Sequence, residues 1–137
     1  MIGLDTNVLV RVMVRDDAHQ ARLADARLLS LTTANPGYVT HIVLVELWWV
    51  LTRSYGYTPA EALIPLNRLT ETATIVIQDR DRVVTALDAV RDQGADFADA
   101  LIVSVSAANG CRTVETFDKA AVRRAGMTPL AEPAPGT

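Results

Sequence analysis

The sequence predicts an α/β domain with a parallel sheet covered by helices on both faces. Three observations predict it. Short apolar runs rich in β-branched residues alternate with longer segments of helical periodicity. A carboxylate follows two of these runs, Asp5 after Ile2-Gly3-Leu4 and Asp118 after the run that ends near Glu115. In an α/β protein a charged side chain so placed belongs at the carboxyl edge of a strand, where ligands bind. The chain has 137 residues, 50% of them hydrophobic, which suits one domain with a sizeable core and excludes a disordered chain.

In chain order, Ile2 to Leu4 reads as the first strand, and Thr6 to Val12 as a short helix with Asp16 and Asp17 in the loop beyond. His19 to Thr32 carries Ala21, Leu23, Ala24, Leu28 and Leu31 at helical spacing. Asn35-Pro36-Gly37 punctuates it, Tyr38-Val39 is a second strand, and Thr40 caps the next helix. That helix, His41 to Tyr55, is apolar nearly all round and is expected to be central or to join a subunit interface. Gly56 ends it. Thr58-Pro59 with Glu61 forms a capping box that opens a helix to about Leu69. Ala73 to Ile77 is a third strand. Asp79 and Asp81 lead into a helix to about Gln93, which Gly94 terminates. Ala95 to Ala98 reads as a link, Asp99 to Ala108 as a helix and Arg112 to Glu115 as a fourth strand. Lys119 to Ala125 is a short helix closed by Gly126, and Met127 to Leu130 a fifth strand. No repeat or long linker divides the chain, so residues 1–130 are expected to be one domain and 131–137 a frayed tail.

Composition narrows the function classes. The single cysteine, Cys111, forbids an internal disulfide and agrees with a reducing compartment. The start lacks the basic region and long apolar stretch of a signal peptide, and the longest apolar run, Ile42 to Leu51, is interrupted by Glu46. A cytoplasmic protein without a membrane span is expected. Thirteen basic against 16 acidic residues give a net charge of −3, which does not advertise a nucleic-acid binder. Local arginines and bound metal can offset that balance. There is no phosphate-binding glycine loop, which argues against nucleotide hydrolysis of that kind. His19 and His41 are not spaced with the acids.

Four carboxylates, Asp5, Glu46, Asp99 and Asp118, stand where chemistry is expected. Each also has a purely structural reading. Asp5 and Asp118 could cap the helices that follow them; of Asp96 and Asp99, either could cap the next helix, with Asp96 the preferred cap and Asp99, at the head of ALIVSVSAA, in its first turn. Glu46, inside the most apolar helix, could pair with Arg53 or Arg11; otherwise it needs a cation or a wet cleft. In a parallel sheet all four acids converge on one edge, where mutual repulsion calls for a divalent ion. Oxygen-only ligands favour Mg²⁺ or Mn²⁺ over Zn²⁺. Such a cluster suits hydrolysis of phosphodiesters by metal-activated water. Thr6 and Thr116 place hydroxyls beside the acids, and Arg11, Arg15, Arg53 and Arg112 are candidate phosphate contacts or merely solvated surface arginines.

The stretches GLDTNVLVR (3–11), VELWWVL (45–51), GADFADALI (94–102) and TFD (116–118) resemble PIN-domain proteins, and more closely the VapC-like toxin ribonucleases of toxin–antitoxin pairs. The resemblance runs to about Leu130. It implies a three-layer α/β/α fold with strand order 3-2-1-4-5. It implies metal ligation by Asp5, Glu46, Asp99 and Asp118, supported by Thr6, Thr116 and the flanking Asp96. It further implies Mg²⁺- or Mn²⁺-dependent cleavage of RNA, a homodimer, and inhibition by a cognate antitoxin that inserts a peptide into the active-site groove. A catalytically inactive interaction module, a metal-dependent phosphatase and a DNA nuclease are the rival readings. Self-association is also expected from the apolar surplus on Ile42 to Leu51 and on Leu63, Leu66 and Leu69.

Overall fold

A computed structural model describes residues 1–132 and 136. The chain divides into two compact units, Met1–Val84 and Thr85–Thr137. In the first unit, β1 (Ile2–Gly3) leads to α1 (Thr6–Val14) and α2 (Ala18–Ser30). Then come β2 (Gly37–Val39), α3 (His41–Trp49), a π-helical turn (Val50–Ser54), α4 (Pro59–Glu71) and β3 (Ile75–Ile77). Helix α5 (Arg80–Gln93) begins here and contains the division.

The three strands form one parallel sheet with β2 in the middle, Ile2 beside Gly37 and Tyr38 beside Val76. Its ladder continues past the strand ends, from the Leu4 amide to the Tyr38 carbonyl at 2.9 Å and from the Gln78 amide to the Val39 carbonyl at 3.0 Å. Gly37 is favoured by close approach: a β-carbon there would lie 2.8 Å from Leu4 Cδ1, and the Leu4 side chain would have to shift. Leu9, Val39, Leu44, Leu47, Leu51 and Leu66 are fully buried in this unit. Thr40 caps α3 through the Val43 amide, and Thr58 with Glu61 forms the reciprocal capping box of α4.

The second unit holds the rest of α5, then α6 (Phe97–Ala108), β4 (Glu115–Thr116), α7 (Lys119–Ala125) and β5 (Thr128–Pro129). β4 and β5 are parallel, with Glu115 beside Thr128. Leu87, Val90, Phe97, Leu101, Ala121 and Met127 are buried. Gly126, at φ +76°, ends α7 in the left-handed conformation that favours glycine.

The structure corrects several expectations. The strand order 3-2-1-4-5 is not formed: the sheet is β1-β2-β3, and β4-β5 is a separate pair. Asp5 already caps α1, so β1 ends at Gly3, and the backbone bonds around β4 go to the β5 segment, Thr128 N–H to Val114 and Leu130 N–H to Thr116. The fourth strand starts at Glu115 rather than Arg112, and α6 starts at Phe97 because Asp96 caps it. The helix expected over His41–Tyr55 changes to a π turn after Trp49. The Thr52 hydroxyl donates to the Trp48 carbonyl at 2.8 Å and competes with the helical ladder. Leu63, Leu66 and Leu69 are buried, so α4 does not supply the apolar surplus expected of them. Of the expected tail, residues 133–135 and 137 lie outside the described residues. Among the described residues no helix is long and apolar enough to cross a membrane.

Candidate metal centre

Each unit carries its own set of acids. In the first, Asp5 is the N-cap of α1, and its Oδ1 accepts the Thr6 amide at 2.7 Å. That is the structural role open to it in the sequence, and it uses one oxygen; Oδ2 has no hydrogen bond among the described residues. Thr6 is buried, and its hydroxyl donates to Glu46 Oε2 at 2.9 Å across 40 residues of sequence. The N-terminus of α1 and the middle of α3 are thereby tied through one carboxylate. Asp5, Thr6 and Glu46 line one cavity of about 370 Å³, together with Arg11, Ser54 and Tyr55.

Glu46 is exposed, not buried as its apolar neighbours in sequence suggest. Ile42, Glu46, Trp49 and Arg53 all lie on the open face of α3 and the π turn, spaced by four, three and four residues, while Leu44, Leu47 and Trp48 fill the interior. Among the described residues Glu46 forms no ion pair with Arg11 or Arg53. The wet cleft is the alternative the structure realises.

The arginines differ in their commitments. Arg11 Nη1 pairs with Asp16 at 3.1 Å and Nε donates to Gln20. Asp16 also accepts the Tyr55 hydroxyl at 2.7 Å, which holds the Asp16 carboxyl below its usual range and raises the Tyr55 phenol. Arg15, left-handed at φ 60°, makes two bonds to Asp25 at 2.9 and 2.8 Å, joining α1 to α2. Arg53 and Arg112 are exposed.

Tyr55, Ser54 and Asp16 escaped the sequence reading. Nine residues along a regular α-helix make about two and a half turns, which would put Tyr55 opposite Glu46. The wider π turn, closed by the Tyr55 amide on the Val50 carbonyl at 3.2 Å, lets both face one cavity. The signal was present in Thr52 and Gly56, a carbonyl-seeking hydroxyl followed by a chain reversal.

In the second unit, Asp96 Oδ2 accepts the Asp99 amide at 3.2 Å as the cap of α6, and Asp99 lies in the first turn. Asp118 caps α7, its Oδ1 accepting from Ala120 at 2.8 Å and Ala121 at 3.2 Å, while its own amide donates to the Thr116 hydroxyl at 3.0 Å. The Asp99 carboxyl is raised above 3.8, first by burial and then by the negative charges of Asp96 and Asp118. Asp99 thus feels the charge of both neighbours. Even so, among the described residues no group of three or more His, Cys, Asp or Glu side chains is close enough to hold a metal ion. By donor chemistry the residues fit a hard divalent cation: carboxylate and hydroxyl oxygens, with unengaged carboxylate oxygens on Asp5 and Asp118.

A mixed α/β chain with parallel strands and acids at the starts of three helices belongs to the broad class whose sites lie just beyond strand ends. The profile of the PIN domain matches residues 2–127, and the chain belongs to the PIN-domain family. PIN domains are generally metal-dependent nucleases that act on nucleic acids, with ions such as Mg²⁺. No curated protein matches the chain.

Proposed function

We propose that the chain is a metal-dependent endoribonuclease, the VapC-like toxin of a toxin–antitoxin pair, with Mg²⁺ or Mn²⁺ held by Asp5, Glu46, Asp99 and Asp118. The observation that carries this reading is the Thr6–Glu46 hydrogen bond, which puts two of the four acids on one open cavity. When bound, the metal supplies a water of lowered pKa and positive charge beside the phosphorus. The chain's own residues do the rest. Thr6 fixes the rotation of the Glu46 carboxylate through Oε2 and the position of Asp5 through its amide. Thr116 orients Asp118 through the Asp118 amide, and Asp96 holds the first turn of α6 that carries Asp99. Arg11, at the cavity wall, takes a phosphate oxygen. The reading includes one domain over residues 1–130, a homodimer, a cytoplasmic location and a cognate antitoxin whose arginine reaches the carboxylates.

Purified chain incubated with structured RNAs should cut them only with Mg²⁺ or Mn²⁺ present. Glu46→Gln should leave apo stability intact, because Glu46 is exposed, and should abolish Mn²⁺ binding and cleavage together. A destabilised variant with unchanged Mn²⁺ binding would remove Glu46 from the site.

The three capping roles favour a second reading, a catalytically inactive PIN-like module whose aspartates only start helices. Asparagine caps a helix as well as aspartate does. Asp5→Asn and Asp118→Asn therefore separate the readings: both keep the fold, and only under the nuclease reading do they lose Mn²⁺ affinity by calorimetry.

A further inference from the structure

The cavity that holds Asp5 and Glu46 does not stand alone. A second hollow of about 360 Å³ adjoins it and shares Asn7 and Arg11 as wall residues. Beyond Arg11 its lining turns to α2: Gln20, Leu23, Ala24 and Arg27. We propose that this second hollow is a nucleotide subsite that holds single-stranded RNA one step along the strand from the acidic cavity. The inference rests on the nuclease reading and adds to it the form of the substrate and the residues that hold it.

Three observations support it. The first is the state of Arg11. A guanidinium has five N–H donors. Here Nε goes to Gln20 and one Nη1 donor to Asp16, and the guanidinium also interacts with the Tyr55 hydroxyl; these three partners fix its plane on the wall common to both hollows, and a guanidinium with five donors keeps capacity for a phosphate oxygen. A guanidinium held in place before binding loses little freedom on taking a phosphate. The second is Arg27, in the last turn of α2, which has no ion pair among the described residues and supplies a second cation to the same hollow. Arg15, in contrast, is consumed by Asp25 and lines neither hollow. The third is apolar surface between the cations: Leu23 is 60% exposed at a place with polar neighbours on both sides. Cation and apolar surface together match a nucleotide, whose phosphate is anionic and whose base presents a flat face to aliphatic and guanidinium surfaces. A base can enter such a hollow only when it is unstacked and unpaired, which selects a single strand over a duplex.

The test is binding of a short labelled oligoribonucleotide, single-stranded or annealed to its complement, in EDTA so that no cleavage occurs, over a range of salt. Arg27→Ala should weaken single-strand binding severalfold and reduce the salt slope by about 0.7, the loss of one phosphate contact. Arg68→Ala removes the same charge from a different groove of the first unit and should leave the slope unchanged. Equal slope changes in the two variants, or a duplex bound as tightly as the single strand, would overturn the subsite. Both substitutions are at exposed helix positions, and circular dichroism verifies their folds. Cleavage by the unmodified chain with Mn²⁺ is scored separately. If cleavage occurs and the Arg27 slope is unaltered, the subsite fails and the nuclease reading stands. If cleavage is absent while Arg27→Ala alone alters the slope, the nuclease reading fails and the subsite remains as a binding surface.

Discussion

Asp99 meets two other carboxylates at the start of α6 and α7, and its raised pKa has a sign that can be measured. Its ionised form is less favoured in the folded chain than in the unfolded one. The stability it contributes is therefore complete below about 3.8 and is lost as pH rises through the higher folded value. Asp99→Asn should stabilise the metal-free protein at neutral pH, with the advantage vanishing below that point; urea midpoints at the two pH values report it. Asp118 offers the complementary case. Asp118→Ala removes the cap of α7 and should cost about 1 kcal/mol, whereas Asp118→Asn should cost close to nothing. At this scale the sequence was readable wherever the chemistry is local. Thr40, the Thr58–Glu61 box, Asp96 and Gly126 all act on amides or torsions within a few residues. For Glu46 the apolar sequence neighbours leave three alternatives open, an ion pair, a cation or a wet cleft, and its exposure selects the last. Counting along one helix face, Ile42, Glu46, Trp49 and Arg53, would have placed it outside.

Among the elements, the π turn at Val50–Ser54 matters most, because it brings Tyr55 to the cavity and onto Asp16. The Tyr55 hydroxyl is the foremost cause of the lowered Asp16 pKa. Tyr55→Phe should raise the Asp16 titration midpoint toward the ordinary carboxylate value, as followed by NMR. The part of stability linked to Asp16, present above about 3.8 and lost as pH falls, should shrink with it. Gly126 gives a cleaner magnitude. A β-carbon there meets nothing within 4 Å, so Gly126→Ala tests the backbone alone and should cost about 1 kcal/mol. The π turn was not legible from apolar periodicity, since that pattern reports a buried stripe and not which carbonyl each amide takes. Strand ends were misjudged for a related reason. Sequence runs extend past the paired residues, as Arg112 and Thr113 before β4 and Met127 before β5 show, and two residues suffice for a pair.

For the molecule as a whole, burial of Leu63, Leu66 and Leu69 removes half of the argument for self-association, and what remains is on α3. Ile42 is 70% exposed and Trp49 56%, both on the Glu46 face. A homodimer that uses Ile42 at the start of α3 and leaves the Glu46 cavity and Trp49 open should show in sedimentation at micromolar concentration, and Ile42→Lys should weaken it by about 2 kcal/mol, the loss typical of a central apolar anchor. A monomer in the unmodified chain would count against it. The α/β class and the alternation of elements were legible, because period and punctuation survive in a single sequence. The sheet order was not: it depends on which short strands find partners, and that is decided by backbone bonds between segments far apart in the chain.

Trp48 and Trp49 are the only tryptophans, adjacent in sequence and opposite in environment, one buried and the other open to solvent three residues after Glu46. The chain therefore carries its own optical reporter. Emission from the buried indole is blue-shifted and shielded from acrylamide, while that from the open one is red-shifted and quenchable. An ion or strand settling at Glu46 changes the second signal and leaves the first as an internal reference. Occupancy of the acidic cavity can thus be followed by light alone, with no label attached to protein or ligand.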